Sequence, residues 1–410
     1  MQSLCGLIVF ILIAWLFSEN RKRFPWKVVA TGLALQFVTA FLLLNLEIFQ
    51  TAFLWLNSAV TILEKATKAG TTVVFGYLGG GPLPFPEPFS GAAYLLAFRG
   101  LPMVLLISAL SSLLFYWNVL PRIVNFFSLC LRKTLSLGGA EGLGVAANIF
   151  VGMVESPLFI RPYLQKMTRS ELFTLMTTGM ATIAGTVMVL YATLLKGLVP
   201  NIMGHILTAS LISAPAAVLI AKVMVPEQNP VTDGALEPET GVNGSMDAIT
   251  QGTAQGVQLL IHIVAMMIVM VALVELINLI LGILPWTGAP MTLERLAGLL
   301  FAPVTWLIGI PWRETMTAGS LLGVKTMVNE FVAYLQMSQL APEALSPKSL
   351  VVMSYALCGF ANPGSLGIMI GGMGAMAPQR RQEIVALGLR SLLSGTLAAC
   401  MTGAVAALLL

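Results

Sequence analysis

The chain is built from apolar stretches long enough to cross a lipid bilayer, separated by short polar segments. A helical span needs roughly 20 consecutive apolar residues. Only 10% of the residues are charged, whereas soluble domains carry roughly 25%. The sequence therefore predicts an all-α polytopic protein whose surroundings are the lipid bilayer. It has no basic tract with interleaved aromatic residues, which argues against nucleic acid as a partner.

Positively charged residues indicate on which side of the membrane each connection lies. Arg21, Lys22 and Arg23 follow the first apolar run, so the positive-inside rule places them in the cytoplasm and the N-terminus outside. An exterior loop is expected at 57–92 and a mobile cytoplasmic linker at 226–253. With the first run, eight transmembrane helices of a cell inner membrane protein are predicted, and the C-terminus lies outside. The other seven are expected at 28–56, 93–118, 171–195, 203–224, 254–284, 347–376 and 383–410.

Two further apolar stretches carry a carboxylate in their middle. The first, residues 144–171, contains Glu155 between Gly152 and Pro157 and is flanked by basic residues at both ends. The second contains Glu330. A carboxylate and irregular backbone are tolerated at membrane depth only where they are buried in protein or line a cavity. These stretches are therefore predicted to be re-entrant hairpins that face a binding site.

Each hairpin is followed by a span with an internal break and preceded by a candidate interfacial helix. The first unit enters the membrane from inside and the second from outside, which gives inverted repeats. In transporters this arrangement places the binding site near the midplane, at the repeat interface. The predicted organisation has two repeats, at 119–225 and 285–410, separated by the linker at 226–253 and a scaffold helix at 254–284. Residues 1–118 precede them and form the other scaffold helices, with the exterior loop among them.

The polar residues of these segments admit more than one interpretation. Thr182 could bond its own backbone and Asn148 could link helices. A purely structural role for Glu155 or Glu330 would require a partner cation, and the nearest candidate is Lys325. A ligand or ion role is therefore favoured. Carboxylates and amides suit a neutral polyhydroxylated solute such as a ribose, whereas exposed carbonyl, Asn and Thr oxygens suit a small hard cation such as sodium.

An intramembrane enzyme is the competing class of protein. The sequence has no GxSxG motif, no paired aspartates in facing helices and no His-rich cluster, so a catalytic constellation is not expected. The cysteines form no CxxC pair, and both histidines are expected to pack between helices. These residues are Cys5, Cys130, Cys358, Cys400, His205 and His262.

Four motifs give the chain a specific resemblance. The first hairpin reads GMVESP at 152–157, followed by RPY at 161–163. ATIAGT follows at 181–186, NEFVAY at 329–334 and CGFANPGS at 358–365. In this order and at these distances, the motifs resemble those of the concentrative nucleoside transporter family over essentially the whole chain.

The resemblance implies a sodium-coupled nucleoside importer, a homotrimer of protomers whose mobile transport domain moves as an elevator. Contact with the ribose is implied for Glu330, Asn362 and Ser365, with Phe360 nearby. The implied neighbours of the nucleobase are Gly152, Met153, Val154, Glu155 and Val187. The implied sodium ligands are the side chains of Asn148 and Thr182 and the carbonyls of Val151 and Ile183.

One departure from the family pattern affects specificity. Met153 and Val154 stand where the family has a glutamine and a threonine or serine, so base preference is left open. The alternative coupling is a proton symport that uses Glu155 or Glu330 as carrier. Proton-coupled relatives tend to lose the asparagine at position 148, so Asn148 favours sodium.

Overall fold

The computed structural model describes residues 1–86, 95–153, 155–233, 242–283 and 291–410, and the regular secondary structure within these ranges is helical. The helices of the first part are α1 Gln2–Leu16, α2 Trp26–Asn45, α3 Glu47–Phe75, α4 Leu96–Arg99, α5 Met103–Tyr116, α6 Val119–Leu135, α7 Gly139–Asn148, α8 Glu155–Leu158, α9 Arg169–Ala181, α10 Gly185–Leu194, α11 Ile202–Met224 and α12 Ser245–Ile283. Those of the second part are α13 Leu293–Ile308, α14 Thr315–Met327, α15 Glu330–Ser338, α16 Pro347–Ala356, α17 Pro363–Met376 and α18 Arg381–Leu409.

Six helical segments within the described ranges are long and apolar enough to cross a membrane. Two of the eight predicted spans differ from these. Helix α1 has only 15 residues, and the span predicted at 347–376 is divided into α16 and α17. The six segments are Trp26–Asn45, Leu96–Tyr116, Arg169–Leu194, Ile202–Met224, Ser245–Ile283 and Pro378–Leu409.

The segments from α6 to α11 and from α13 to α18 repeat one order of helices. In each, a helix packs on the first limb of a helix–turn–helix pair (α6 on α7, α13 on α14), and a long last helix packs on the first half of a broken helix (α11 on α9, α18 on α16). Helices α11 and α18 also pack on each other. Buried hydroxyl pairs join α18 to the first repeat, Thr177 with Ser394 at 2.7 Å and Ser213 with Thr402 at 3.0 Å.

The two helix breaks fall where the sequence predicts them, and they touch. Helix α9 ends at Ala181 because Thr182 is extended, with φ −108° and ψ 172°. In the second break Gly359 has φ +142°, a conformation that other residues rarely adopt. A Cβ at Gly359 would lie 2.8 Å from the Ala181 carbonyl oxygen. The glycine therefore allows the backbones of the two breaks to approach closely.

Two predicted boundaries are wrong. Helix α2 ends at Asn45 and a 29-residue α3 follows, so this span does not continue to residue 56. The predicted linker 226–253 already contains the start of α12, at Ser245. Its first residues are also attached to the first repeat, since the Thr232 amide donates to Glu171 at 2.7 Å. The remainder, 234–241, lies outside the described residues.

The segments predicted to lie on the cytoplasmic side meet at one end of the molecule. Arg169 at the start of α9 forms ion pairs with Glu19 at 2.8 Å and with Glu383 at 3.4 Å. Glu19 also pairs with Arg390. The hydrogen bond from Arg169 lowers the pKa of Glu19 below its ordinary value, against the effect of burial, and the charges of Arg169 and Arg390 lower it further. This network connects the α1–α2 loop to the first turns of α9 and α18.

Candidate functional site

Glu330 is the first residue of α15, and its carboxylate is held by residues of both repeats. The side chain of Asn329 caps the helix by accepting a hydrogen bond from the Val332 amide at 2.8 Å. The Glu330 residue is only 5% exposed. Tyr191 of α10 donates its hydroxyl to Oε1 at 2.7 Å, and Asn362 donates Nδ2 to Oε2 at 2.8 Å. Among the described residues each carboxylate oxygen therefore has a side-chain donor and keeps capacity to accept another hydrogen bond.

The orientation of the Asn362 amide follows from its position in the chain. Asn362 is the N-cap of α17, and its Oδ1 accepts a hydrogen bond from the Ser365 amide at 2.8 Å. Because the oxygen is used by the cap, the Nδ2 group is directed to Glu330. The N-termini of α15 and α17 both lie at this carboxylate, and the partial positive charge of a helix N-terminus stabilises an anion.

A cavity of about 150 Å³ lies beside Glu330, between the two repeats and α12. Seven residues predicted to bind substrate line it together: Gly152, Met153, Val187, Glu330, Phe360, Asn362 and Ser365. Gly152 has φ +107°, so a glycine suits the turn that brings this hairpin tip to the cavity. Val154 and the side chain of Glu155 lie outside the described part of the chain, and their contact with the base stays a prediction.

Sequence reasoning missed several residues of the cavity wall. Tyr191 could have been found, because it lies four residues after Val187 and therefore on the same face of α10. The prediction that both histidines pack between helices is wrong for His262, which is exposed and lines the cavity from α12. His205 does pack between helices, with Nδ1 3.0 Å from the Tyr355 hydroxyl. The missed residues include Thr186, Tyr191, Leu259, His262 and Asn329.

The predicted sodium ligands lie where the first hairpin meets the first helix break. Asn148 is fully buried, and neither polar atom of its amide has a hydrogen-bond partner among the described residues. The Thr182 hydroxyl lies 3.2 Å from the Asn148 carbonyl oxygen and 2.9 Å from that of Thr178, so it does bond its own helix. The lone pairs of the Thr182 hydroxyl oxygen remain free to coordinate a cation. Buried amide and hydroxyl oxygens of this kind fit a small hard cation.

The other two predicted ligands, Val151 and Ile183, belong to the same junction. The Gly185 amide donates to the Phe150 carbonyl at 2.8 Å and so connects the hairpin tip to the break. Val151 follows Phe150 directly, and Ile183 lies two residues before Gly185. Both are in non-helical backbone, whose carbonyl groups are not used by a helix.

The candidate ion site and the cavity share a wall. A Cβ at Gly179 of α9 would lie 2.8 Å from the Met153 Cβ and 3.8 Å from the Asn148 Oδ1. Met153 therefore packs on α9 beside Asn148 while it also lines the cavity. An ion held at Asn148 would fix the hairpin tip that forms one side of the cavity.

Lys325 does not neutralise Glu330 by a direct ion pair. Its Nζ donates to the Ala356 carbonyl oxygen at 2.9 Å, and the salt bridges of the described residues include none between Lys325 and Glu330. Glu330 instead meets neutral donors beside an open cavity. This arrangement favours the ligand role over a purely structural ion pair.

An all-helical membrane transporter, with a ligand cavity between two repeats, is the class of protein that this fold and site define. Family models agree. Residues 205–407 match the model described as the Na+ dependent nucleoside transporter C-terminus, and residues 5–78 match the N-terminal model of that name. Residues 97–198 match a model described as Gate, nucleoside recognition.

Similar proteins cover the whole chain. The nucleoside permease NupC of Helicobacter pylori is 33% identical over 99% of this chain and 97% of the permease. Human solute carrier family 28 member 3 is 34% identical over 99% of this chain, which spans 59% of the human protein. CNTnw in an inward-facing substrate-bound state superposes with a TM-score of 0.91 at 35% identity, covering 100% of this chain and 98% of CNTnw.

The chain belongs to the Na+-dependent, concentrative nucleoside transporter family, and it is a transporter rather than an enzyme. This confirms the family resemblance that the four sequence motifs indicated. The description of the family model calls the transporter Na+ dependent, which supports sodium as the ion and does not favour the proton alternative.

Proposed function

We propose that this protein is a secondary active importer that couples inward sodium movement to nucleoside uptake. The observation that supports this most is the environment of Glu330, whose two carboxylate oxygens each accept a hydrogen bond from a neutral side chain of the described residues, at the edge of a cavity. A vicinal diol supplies two further donors at suitable spacing for the two oxygens. The ribose is therefore assigned to Glu330, Asn362 and Ser365, with Phe360 beside it.

Sodium is assigned to the junction of hairpin and helix break. Asn148 supplies a buried amide oxygen without a hydrogen-bond partner among the described residues, and Thr182 supplies a hydroxyl. The carbonyls of Val151 and Ile183 would complete the set. Met153 lines the cavity and packs on Gly179, where a Cβ would lie 3.8 Å from the Asn148 Oδ1. Sodium bound at Asn148 would therefore stabilise the cavity wall that the nucleoside contacts. Coupling between the two ligands follows from this shared wall.

The transport step is assigned to an elevator movement of the repeats against the scaffold, in a homotrimer of the cell inner membrane with both termini outside. Support comes from CNTnw, because this chain superposes equally well on its inward-facing substrate-bound structure and on a doubly substituted variant in an outward-facing state, with TM-scores of 0.91. One fold therefore accommodates both states in that relative. The two helix–turn–helix pairs would be the re-entrant hairpins of the moving part.

The substrate assignment is tested by uridine and adenosine uptake into proteoliposomes under an inward sodium gradient. Wild type should accumulate nucleoside, and Glu330→Gln should lose uptake because the diol then meets a neutral amide. Glu343→Gln, at an exposed position outside the cavity, is the matched control. Wild-type uptake by E330Q would refute the ribose assignment.

The ion assignment has its own test. Replacing sodium by choline at constant ionic strength should abolish concentrative uptake by wild type. Asn148→Ala should weaken the sodium dependence, whereas Asn45→Ala, at an exposed helix end, should leave it unchanged. Equal uptake with and without sodium would overturn sodium coupling while leaving nucleoside transport intact.

A further inference from the structure

Lys325 is a buried cation that the proposed transport mechanism does not use. It lies in the last turn of α14, the first limb of the second hairpin, and is fully buried. Its ammonium group donates to the carbonyl oxygen of Ala356, the last residue of α16. Burying a lysine is costly unless its charge is compensated. An ammonium group at this position therefore requires negative potential around it.

That potential comes from two helix C-termini. The last carbonyl groups of a helix have no partner within it and carry partial negative charge. Lys325 stands in the final turn of α14 and reaches the end of α16. Glu330, five residues further along the hairpin, adds negative charge to the surroundings of Lys325 without forming an ion pair with it.

The first repeat has the same two helix ends in contact. There α7 is the first limb of the hairpin and ends at Asn148, and α9 is the first half of the broken helix and has Thr182 as its C-cap. The Thr182 hydroxyl lies 3.2 Å from the Asn148 carbonyl oxygen. At this junction the polar group is a neutral amide without a hydrogen-bond partner among the described residues, whereas the equivalent junction of the second repeat holds an ammonium group.

We propose that the Lys325 ammonium is a fixed cation that takes, in the second repeat, the position that sodium takes in the first. Both junctions join two helix C-termini, and both require positive charge. In the first repeat this charge is a sodium ion from solution, and in the second it is the ammonium group of Lys325. The chain would consequently bind one sodium at these junctions, with Lys325 holding α14 against α16 throughout the transport cycle. This inference rests on the proposed sodium site at Asn148.

The test is the sodium dependence of thermal unfolding of the full-length protein, purified in detergent, with choline keeping the ionic strength constant and no nucleoside present. An ion that binds only the folded state stabilises it, and the slope of unfolding free energy against the logarithm of sodium concentration counts the ions bound. Lys325→Asn replaces the ammonium by an amide like that of Asn148. We expect K325N to melt lower than wild type in choline and its sodium slope to be doubled.

Lys325→Arg keeps the charge and is expected to keep the wild-type slope. A wild-type slope in K325N, with a lower melting temperature that sodium does not restore, would overturn the proposal. If K325N does not fold at any sodium concentration but K325R does, the requirement for fixed charge is upheld. If neither variant folds, the position depends on shape and not on charge, and the proposal fails.

Asn148→Ala separates this proposal from the one on which it rests. Its sodium slope should be lost, because the only exchangeable ion at the two junctions would be gone. A slope that persists in N148A refutes the sodium assignment whatever K325N does. In the double variant N148A/K325N a single-ion slope should return, now produced by the second junction.

Discussion

The Tyr191 hydroxyl donates a 2.7 Å hydrogen bond to Glu330, and this contact joins the two repeats at the cavity. Tyr191 belongs to α10, the second half of the first broken helix, whereas Glu330 begins α15 of the second hairpin. Both residues line the cavity. The carboxylate assigned to the ribose thus belongs to the second repeat and accepts one of its hydrogen bonds from the first repeat.

Tyr191→Phe removes this donor with almost no change in shape. A hydrogen bond to a charged group contributes about 1.5–3 kcal/mol, so we expect uridine affinity to fall about 10- to 100-fold. Tyr334→Phe is the matched control, since its ring lies 4.9 Å from that of Tyr191 but its hydroxyl donates to the Ser354 carbonyl oxygen. Uridine uptake kinetics of the two variants should differ; equal values would remove Tyr191 from the site.

Much of the site could be predicted because intramembrane polar residues are few and costly. Asn148, Glu330 and Asn362 stand out in apolar sequence, and the structure gathers each at a junction or cavity. Tyr191 and His262 did not stand out, since tyrosine and histidine have apolar bodies that suit ordinary helix packing. Their contribution depends on which helix face meets the cavity, which is fixed only when the repeats pack together.

The fold was predicted well where a helix break depends only on the residues at the break itself. The breaks after Ala181 and Ala356 follow from the segments ATIAGT and CGFANPGS, which contain the residues that end helices. The boundary at Asn45 was missed because the apolar pattern continues into α3 without a glycine or proline. The attachment of Thr232 to Glu171 was missed for a different reason: a contact between distant segments leaves no periodicity in either.

Met153→Gln tests the apolar hairpin tip. Met153 lines the cavity where the family places a polar side chain, and a polar group left unpaired penalises the wrong base. One added hydrogen bond contributes about 0.5–1.5 kcal/mol, so M153Q should shift discrimination between purine and pyrimidine nucleosides about 3- to 10-fold. Met153→Leu keeps the apolar character as control. Competition against a nucleoside panel measures both, and an identical order of potency in M153Q and M153L would contradict a role in base selection.

Gly359→Ala tests the contact between the two helix breaks. Its φ of +142° and the 2.8 Å approach of a Cβ to the Ala181 carbonyl oxygen leave no room for a side chain. A left-handed conformation alone costs roughly 1–2 kcal/mol for other residues, so the melting temperature should fall. Gly367→Ala in α17 is the control, because a Cβ there meets no atom within 4 Å and alanine favours a helix. A thermal melt in which G359A matches or exceeds G367A would show that the breaks do not need this glycine.

The ion network of Glu19, Arg169, Glu383 and Arg390, at the end predicted to be cytoplasmic, predicts a dependence of stability on pH. Because Arg169 and Arg390 lower the pKa of Glu19, its ionised form stabilises the folded state above the unfolded-state pKa, and this contribution is lost as pH falls through the lower, folded-state pKa. Solvent screening limits it to about 1 kcal/mol or less. Glu19→Gln should therefore lower the melting temperature at neutral pH, and the curves of E19Q and wild type should converge in acid. The exposed control Glu343→Gln should follow wild type at every pH, and a constant offset between E19Q and wild type down to the acid end would show that the charge of Glu19 is not the cause.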